Sequence, residues 1–227
     1  MGQQQADLAG RVARLAKERN IELHRFGITL TTAYSLTGSF AQGTGQGVAE
    51  SINIDVEIDS SASSKVVSSL IADAVAASPA LAMVTTPIEN TFALYVNGRR
   101  KNPTTLPASH ARNADDPFIK YRDLPRPLAP AIDQSRLIVK TGEKQAGEPI
   151  LAPVSGKVIR EVKGRGELLD PAGRFRTKVA LNLPASSLFE FVCDESGGGI
   201  APTGLALATA GIAFCYITQI SRYMEHM

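Results

Sequence analysis

The chain has 227 residues, of which 44% are hydrophobic and 20% charged, and its formal net charge is +2. This length and this balance of apolar and charged residues suit one large or two small globular domains that can bury a core without disulfides or bound metals. Basic and acidic residues are interspersed, so the composition offers no electrostatic case for nucleic-acid binding, and two cysteines are too few for a disulfide scaffold.

The first predicted element is an amphipathic helix over residues 7–19. Leu8 and Val12 recur at helical spacing, and basic residues gather towards the end, where the helix dipole favours them. Two strands follow, at 26–36 and 51–58, in which apolar residues alternate with small or polar ones. The glycine-rich loop between them predicts an antiparallel hairpin.

A second helix is predicted over residues 64–78, where an apolar face begins after a serine-rich stretch and stops before Pro79. One more strand is predicted at 91–96. The segment that follows is rich in proline and poor in periodic apolar residues, which predicts an extended linker. The chain is therefore divided into three parts: 1–100, 101–136 and 137–227.

The third part opens with segments that carry a strand pattern: 137–143, 155–164 and 175–183. An Asp-Pro-Ala-Gly sequence at 170–173 predicts a type I turn. Neither 1–100 nor 137–227 has enough helix to cover both faces of a sheet of its own. We therefore expect the two parts to share one continuous sheet or to fold across a dimer.

The most informative element is a long helix predicted over residues 202–227. Every residue from Leu205 to Ile217 is apolar or small. Such a run is more typical of a buried core helix than of a membrane span, which needs about 20 residues. Cys215 lies in the middle of the run. A cysteine there is first interpreted as a small buried side chain, and it gains chemistry only if polar groups approach it.

A proline, a start rich in Leu and Ala, and a cysteine about three turns later resemble the central helix of the OsmC/Ohr family. Residues 137–183 resemble the opening strands of that domain, and residues 1–100 resemble its second half. The chain thus resembles one OsmC-like domain in permuted order, or a window of a tandem protein. The resemblance implies an α+β fold of antiparallel sheets with two central helices, 64–78 and 202–227, in an intertwined homodimer.

In that family the cysteine of the central helix reacts with peroxides. The resemblance therefore makes Cys215 the candidate nucleophile and Cys193 a candidate resolving thiol. A nearby cation would be needed to populate the thiolate. Arg222, two turns beyond Cys215 on the same helix face, is the third candidate site residue. Other arginines lie in the strand region from which the family draws its arginine: Arg160, Arg165, Arg174 and Arg176.

Two departures from the family pattern weigh against a full peroxidase cycle. The second family cysteine, just before a proline, corresponds to Ser78 in this chain. The start of the long helix, Pro202-Thr203-Gly204-Leu205, lacks the acid that orients an arginine in many members. The sequence therefore favours a redox-degenerate relative with a structural or small-molecule-binding role. The alternative is a thiol-dependent peroxidase that reduces organic hydroperoxides through Cys215.

The remaining expectations concern partners and location. A homodimer is expected, with a small apolar molecule or a hydroperoxide as the candidate ligand. No cofactor, nucleic-acid partner or membrane partner is expected. The three histidines are far apart and show no metal-ligand spacing, so no metal is expected. The N-terminus lacks a signal-peptide pattern, which predicts a cytoplasmic location.

Overall fold

The computed structural model describes residues 2–39, 42–87, 89–101, 104–111, 116, 119, 122, 138–146, 158–196 and 199–226. Its helices are α1 (Gly2–Glu18), α2 (Ser64–Ala76), α3 (Pro79–Thr85) and α4 (Gly204–His226). Its strands are β1 (Leu23–Thr37), β2 (Gln46–Ser60), β3 (Leu94–Val96), β4 (Arg99–Lys101), β5 (Ile138–Lys144), β6 (Val158–Leu168), β7 (Arg174–Leu181) and β8 (Ser187–Asp194).

Six strands form one antiparallel sheet in the order β2-β1-β6-β7-β8-β5, and β3 and β4 form a separate hairpin. The pairing of β1 with β2 confirms the hairpin predicted around the glycine-rich loop. β1 also pairs with β6, with Leu30 opposite Gly164 and Thr32 opposite Val162. The predicted sharing of one sheet between 1–100 and the last part of the chain is therefore confirmed, and the fold is α+β.

One face of the sheet is a solvated network of charges. Arg25 and Arg165 each have a guanidinium nitrogen 3.9 Å from a carboxylate oxygen of Glu57. Farther along the sheet, Arg176 lies 3.7 Å from Glu190. Exposed pairs of this kind contribute little stability individually. They identify this face as the one turned to water, because strand alternation sends the apolar side chains to the other face.

Helix α1 lies across the apolar face, against β1, β6 and β7. Leu8 and Val12 of α1, Ile28 and Leu30 of β1 and Phe175 of β7 are each at most 1% exposed. Full burial of such side chains stabilises the fold by about 1.5–3 kcal/mol each relative to exposure. The core is therefore the layer between α1 and the centre of the sheet.

A buried glutamine fixes α1 to three strands. Gln5 Nε2 donates to the carbonyl oxygens of Ile28 at 3.1 Å and Gly164 at 2.8 Å. Its Oε1 accepts from Thr177 Oγ1 at 2.6 Å. A Cβ at Gly164 would lie 2.7 Å from Gln5 Oε1, so any larger residue there would displace the Gln5 amide from these hydrogen bonds. The helix begins at Gly2, five residues before the predicted start, because this polar first turn has buried partners.

The predicted pair of central helices is wrong in one respect. The helix that lies on the sheet is α1, and both α2 and α4 pack on α1. Helix α4 meets α1 through its first turns, where Leu207 is partly buried and Ala208 is 6% exposed. Residues 211–222 are all exposed. The long apolar helix is therefore present as predicted, but most of it lies outside the core of the chain.

The chain divides into two compact units, Met1–Ala82 with Ile132–Met227, and Met83–Ala131. The first contains the six-stranded sheet. In the second, Phe92 N–H donates to the Pro107 carbonyl at 2.9 Å and Ser109 N–H donates to the Phe92 carbonyl at 2.8 Å. Part of the predicted 101–136 linker therefore pairs with residues before it, and most of the rest lies outside the described residues.

Candidate functional site

The candidate site is built on α4, whose start is fixed by an acidic loop. The Gly204 N–H donates to the Glu195 carboxylate, and Thr203 Oγ1 accepts a second backbone N–H at 3.2 Å. The Asp194 carboxylate accepts the Ile200 N–H at 3.0 Å. The first two acceptors satisfy N–H groups that the first turn of a helix leaves free, and Asp194 holds the loop before it. The loop after β8 thereby sets where α4 begins.

Cys215 lies about three turns into α4, and its side chain is exposed. The expectation of a thiol buried in a core helix is wrong, because α4 leaves the surface of α1 before Cys215 is reached. Within the described part of the chain, the Cys215 sulfur has no hydrogen-bond partner. The thiol is accessible to a small oxidant.

Arg222, the predicted cationic partner of Cys215, is also exposed. Seven helical residues place its Cα about 10 Å from that of Cys215 along the axis, at 1.5 Å per residue. Across the described residues, Arg222 makes no ion pair. The structure therefore puts the two residues on one helix without bringing the guanidinium to the sulfur.

Strand register places the four candidate arginines of residues 137–227 in different surroundings. Arg165 and Arg176 lie on the charged face. Arg165 reaches across β1 to Glu57 of β2, and Arg176 pairs with carboxylates of the two strands beside its own. Arg174 pairs with a carboxylate four residues earlier, at the β6–β7 turn. Arg160 lies opposite Tyr34, on the apolar face, and is half-buried. Of the four, Arg160 alone has a register that directs it away from the charged face.

Cys193 lies on β8, a strand that the sequence interpretation missed. It pairs with Phe175 and is completely buried. Burial, together with the negative charge of Glu195, raises the pKa of Cys193 to about 12. This thiol is therefore protonated at neutral pH and is a poor attacking group. The alternation of Phe189, Phe191 and Cys193 with other residues was the signal that could have revealed the strand.

Ser78, at the position of the second family cysteine under the resemblance, has a structural contact. It is 1% exposed, and its Oγ donates to Asp7 Oδ2 at 2.6 Å. Ser78 Oγ also accepts the Leu81 N–H at 3.2 Å, so Ser78 caps α3. Asp7 is itself 1% exposed and lies 3.4 Å from an Arg11 nitrogen. Sequence reasoning did not identify Asp7, because a polar residue at a helix start is ordinarily exposed.

Two exposed apolar surfaces belong to the six-stranded unit. The first, the α4 surface, consists of Phe214, Tyr216, Ile217, Ile220 and Met224, which are 54–71% exposed. The second, the sheet-end groove, lies where α1 does not cover the apolar face. It is a cavity of about 330 Å³ lined by residues that include Ile138, Val162, Val179, Leu181 and Phe189. Both surfaces leave large hydrophobic side chains exposed to water, which makes them candidate interaction sites.

No group of His, Cys, Asp and Glu that could hold a metal ion occurs within the residues the structure describes. Residues Gly204–Arg222 of α4 are long and apolar enough to cross a membrane by length and composition, with a mean hydropathy of 1.4. Only 11% of that window is buried. An apolar helix so exposed requires either a bilayer or a protein surface around it.

Comparison of the chain with protein-family models, with curated proteins and with solved structures gave no match in any of the three. The function of the chain is therefore inferred from its own residues.

Proposed function

We propose that this protein is a non-catalytic, OsmC-like homodimer with a structural role, assembled through the α4 surface. The observation that carries the proposal is the exposure of α4, which presents large apolar side chains and an unpartnered Cys215 to water. Such a surface suits association, and its thiol lacks the surroundings that peroxide chemistry needs.

The inference that the protein is non-catalytic rests on its two cysteines and on Ser78. A thiol peroxidase needs one activated thiolate and a second thiol to resolve the sulfenic acid. Cys193 is buried with a pKa raised to about 12. Ser78 cannot form a disulfide, and its hydroxyl is bonded to Asp7. Cys215 is then left without a resolving partner in the described chain.

The charges on the exposed part of α4 favour a protein partner over a bilayer. The first turns of α4 pack on α1, whereas residues 211–222 are all exposed. Arg222 and Glu225 are exposed as well and lie beside the apolar side chains of Ile220 and Met224. A charge is costly in the hydrocarbon core of a bilayer, whereas at the rim of a protein interface it can stay in water. The exposed part of α4 is therefore suited to contact with a protein.

The proposed occupant of the α4 surface is a second copy of this chain. The same molecule carries both an apolar helix and an apolar receptor, the sheet-end groove. In a two-fold dimer each α4 would lie on the groove of the other copy, so each contact would be made twice and the assembly would close. The run from Leu205 to Ile217 carries no charge that would have to be desolvated.

The alternative, a peroxidase acting through Cys215, is favoured by one observation, the accessibility of that thiol. Stopped-flow oxidation by cumene hydroperoxide separates the two functions. We expect slow consumption, no thiol-driven turnover, and equal rates for wild type, Cys215→Ser and Cys193→Ser. Fast consumption that is lost only in Cys215→Ser and is sustained by added thiol would establish the peroxidase and overturn the non-catalytic proposal.

A further inference from the structure

A second concave surface lies between the C-terminal half of α1 and the β6–β7 turn. Its larger part is a cavity of about 540 Å³, within the range of small-molecule sites. Ala13 and Ala16 of α1 form one wall, and Ile21, Leu23 and Leu168 supply apolar side chains around it. Ala13 and Ala16 are well packed, at 9% and 2% exposed. Because their side chains are small, they do not fill the space beside them.

An adjoining cavity of about 320 Å³ is polar and cationic. It shares Ala13, Lys17, Pro171 and Ala172 with the first cavity. The two cavities therefore adjoin along these four residues, and together they are called the α1 groove, which is apolar at one end. At its other end the lining residues include the cationic side chains of Arg11, Arg14 and Lys17.

Two of these cations are available to a ligand. Arg11 lies 3.4 Å from Asp7 and is neutralised by it. Arg14 and Lys17 are exposed and have no carboxylate partner in the described ranges. They are three residues apart on α1, a spacing that puts them on one face of the helix. The groove thus presents two adjacent positive charges beside an apolar cavity.

The negative groups that face the groove are held elsewhere. The Glu195 carboxylate accepts the Gly204 N–H, and burial raises its pKa. Glu22 is 74% exposed and lies 3.8 Å from His24. The carbonyls that end α1 are also occupied, since Ile21 N–H donates to the Ala16 carbonyl at 2.8 Å. An anion at this end of the groove would therefore meet the Arg14 and Lys17 side chains, neither of which is paired with these carboxylates.

We propose that the α1 groove binds an amphipathic anion, an aliphatic chain of medium length with one carboxylate or phosphate headgroup. The chain lies along Ala13, Ala16 and Leu168, and the headgroup is held by Arg14 and Lys17. The apolar end supplies the hydrophobic contribution, and the two cations supply charge-assisted hydrogen bonds. This site is separate from the α4 surface and does not depend on the proposed assembly.

Isothermal titration of the full-length protein with decanoate, decyl phosphate and decanol, each below its micelle concentration, tests the proposal. We expect both anions to bind and decanol to bind more weakly. The stronger of the two anions identifies the preferred headgroup. No saturable binding of either anion, or equal binding of decanoate, decyl phosphate and decanol, would overturn the proposal.

Three variants localise the binding. Arg14→Glu and Lys17→Glu should each weaken the better anion about tenfold, the equivalent of one charge-assisted contact of about 1.4 kcal/mol. Ala172→Phe, at an exposed turn position that lines both cavities, should block the groove and weaken all ligands. Lys163→Glu makes the same charge change on exposed β6 and should bind like wild type, while melting temperatures without ligand verify folding. Unchanged affinity in Arg14→Glu and Lys17→Glu, or losses matched by Lys163→Glu, would exclude the site.

Discussion

Two neighbouring glutamines of α1 have opposite hydrogen-bonding environments. Gln5 is completely buried, and its side chain forms hydrogen bonds with the carbonyls of Ile28 and Gly164 and with the hydroxyl of Thr177. The Gln4 Oε1 is buried without a partner among the described residues. We expect Gln5→Met to lower the free energy of unfolding by about 1–3 kcal/mol, because buried polar groups lose their partner.

Gln4→Met is the matched control for this prediction. It should change the free energy of unfolding by less than about 0.5 kcal/mol, since it removes an amide whose oxygen has no hydrogen-bond partner among the described residues. Urea unfolding of both variants provides the comparison. Equal losses in the two variants would mean that the Gln5 contacts do not hold α1 on the sheet.

Glu195 gives the fold a pH dependence of defined sign. Burial raises its pKa above the ordinary 4.5 and outweighs the opposing Gly204 N–H, while the negative charge of Asp7 raises it further. The folded state therefore binds this proton more tightly than the unfolded state does. As pH rises from 4.5 to the raised value, the contribution of Glu195 to the free energy of unfolding falls.

Glu195→Gln should remove that fall and leave the protein more stable at neutral pH, because the amide oxygen can still accept the Gly204 N–H. Thermal unfolding from acid to neutral pH measures the effect. Glu143→Gln, at a carboxylate 60% exposed beside Lys178, makes the same change of charge and should keep the wild-type slope. A Glu195→Gln profile parallel to that of wild type would contradict the assignment.

At the scale of elements, the docking of α4 on α1 depends on one glycine. A Cβ at Gly204 would lie 2.5 Å from the Gln3 carbonyl oxygen and 2.8 Å from the Asp7 nitrogen, both backbone atoms. Gly204→Ala should therefore destabilise the protein by about 1–3 kcal/mol, the usual effect of overpacking. In the same helix, a Cβ at Gly211 would meet its nearest atom at 3.8 Å.

Gly211→Ala is the control, and it should be neutral or stabilising by up to about 1 kcal/mol through helix propensity. Chemical unfolding of the two alanine variants gives both values. If Gly204→Ala were as stable as Gly211→Ala, the close contact between α1 and α4 would not exist in solution.

The predictability of each element follows from what its residues contact. β1 and β2 could be predicted because one face is buried, which imposes a period of two on residues such as Ile28 and Leu30. The first turn of α1 was missed because Gln5 is polar yet buried. The exposure of α4 could not be predicted, since a helix apolar on all sides indicates apolar surroundings but not which surface supplies them.

The residue types of the candidate site could be predicted from the sequence, but the burial of their side chains could not. The sequence singled out Cys215 and Cys193, but their burial is opposite to the simplest expectation for a core helix and a loop. Burial depends on contacts distant in sequence, such as Phe175 beside Cys193. The same holds for Ser78, whose partner Asp7 is brought to it by the packing of α1.

At the scale of the whole molecule, a sheet built from both the first and the last part of the chain predicts that the first part cannot fold alone. A fragment of residues 1–100 lacks β6, the second neighbour of β1, and also lacks Gly164 and Thr177, which bond Gln5. We expect it to be unfolded or aggregated by circular dichroism and light scattering, under conditions in which the full chain unfolds cooperatively. A monomeric fragment with a cooperative transition would contradict this prediction.

Sedimentation equilibrium of the wild-type protein tests the central claim, assembly through the α4 surface, most directly. The chain has a mass of 24.1 kDa, and we predict a species of twice that mass. Ile217→Glu, which puts a charge at a side chain 59% exposed on α4, should give the single-chain mass. Leu169→Glu, at a hydrophobic residue 39% exposed outside that surface, should remain dimeric. A wild-type protein of single-chain mass, or an Ile217→Glu variant as dimeric as wild type, would contradict the account.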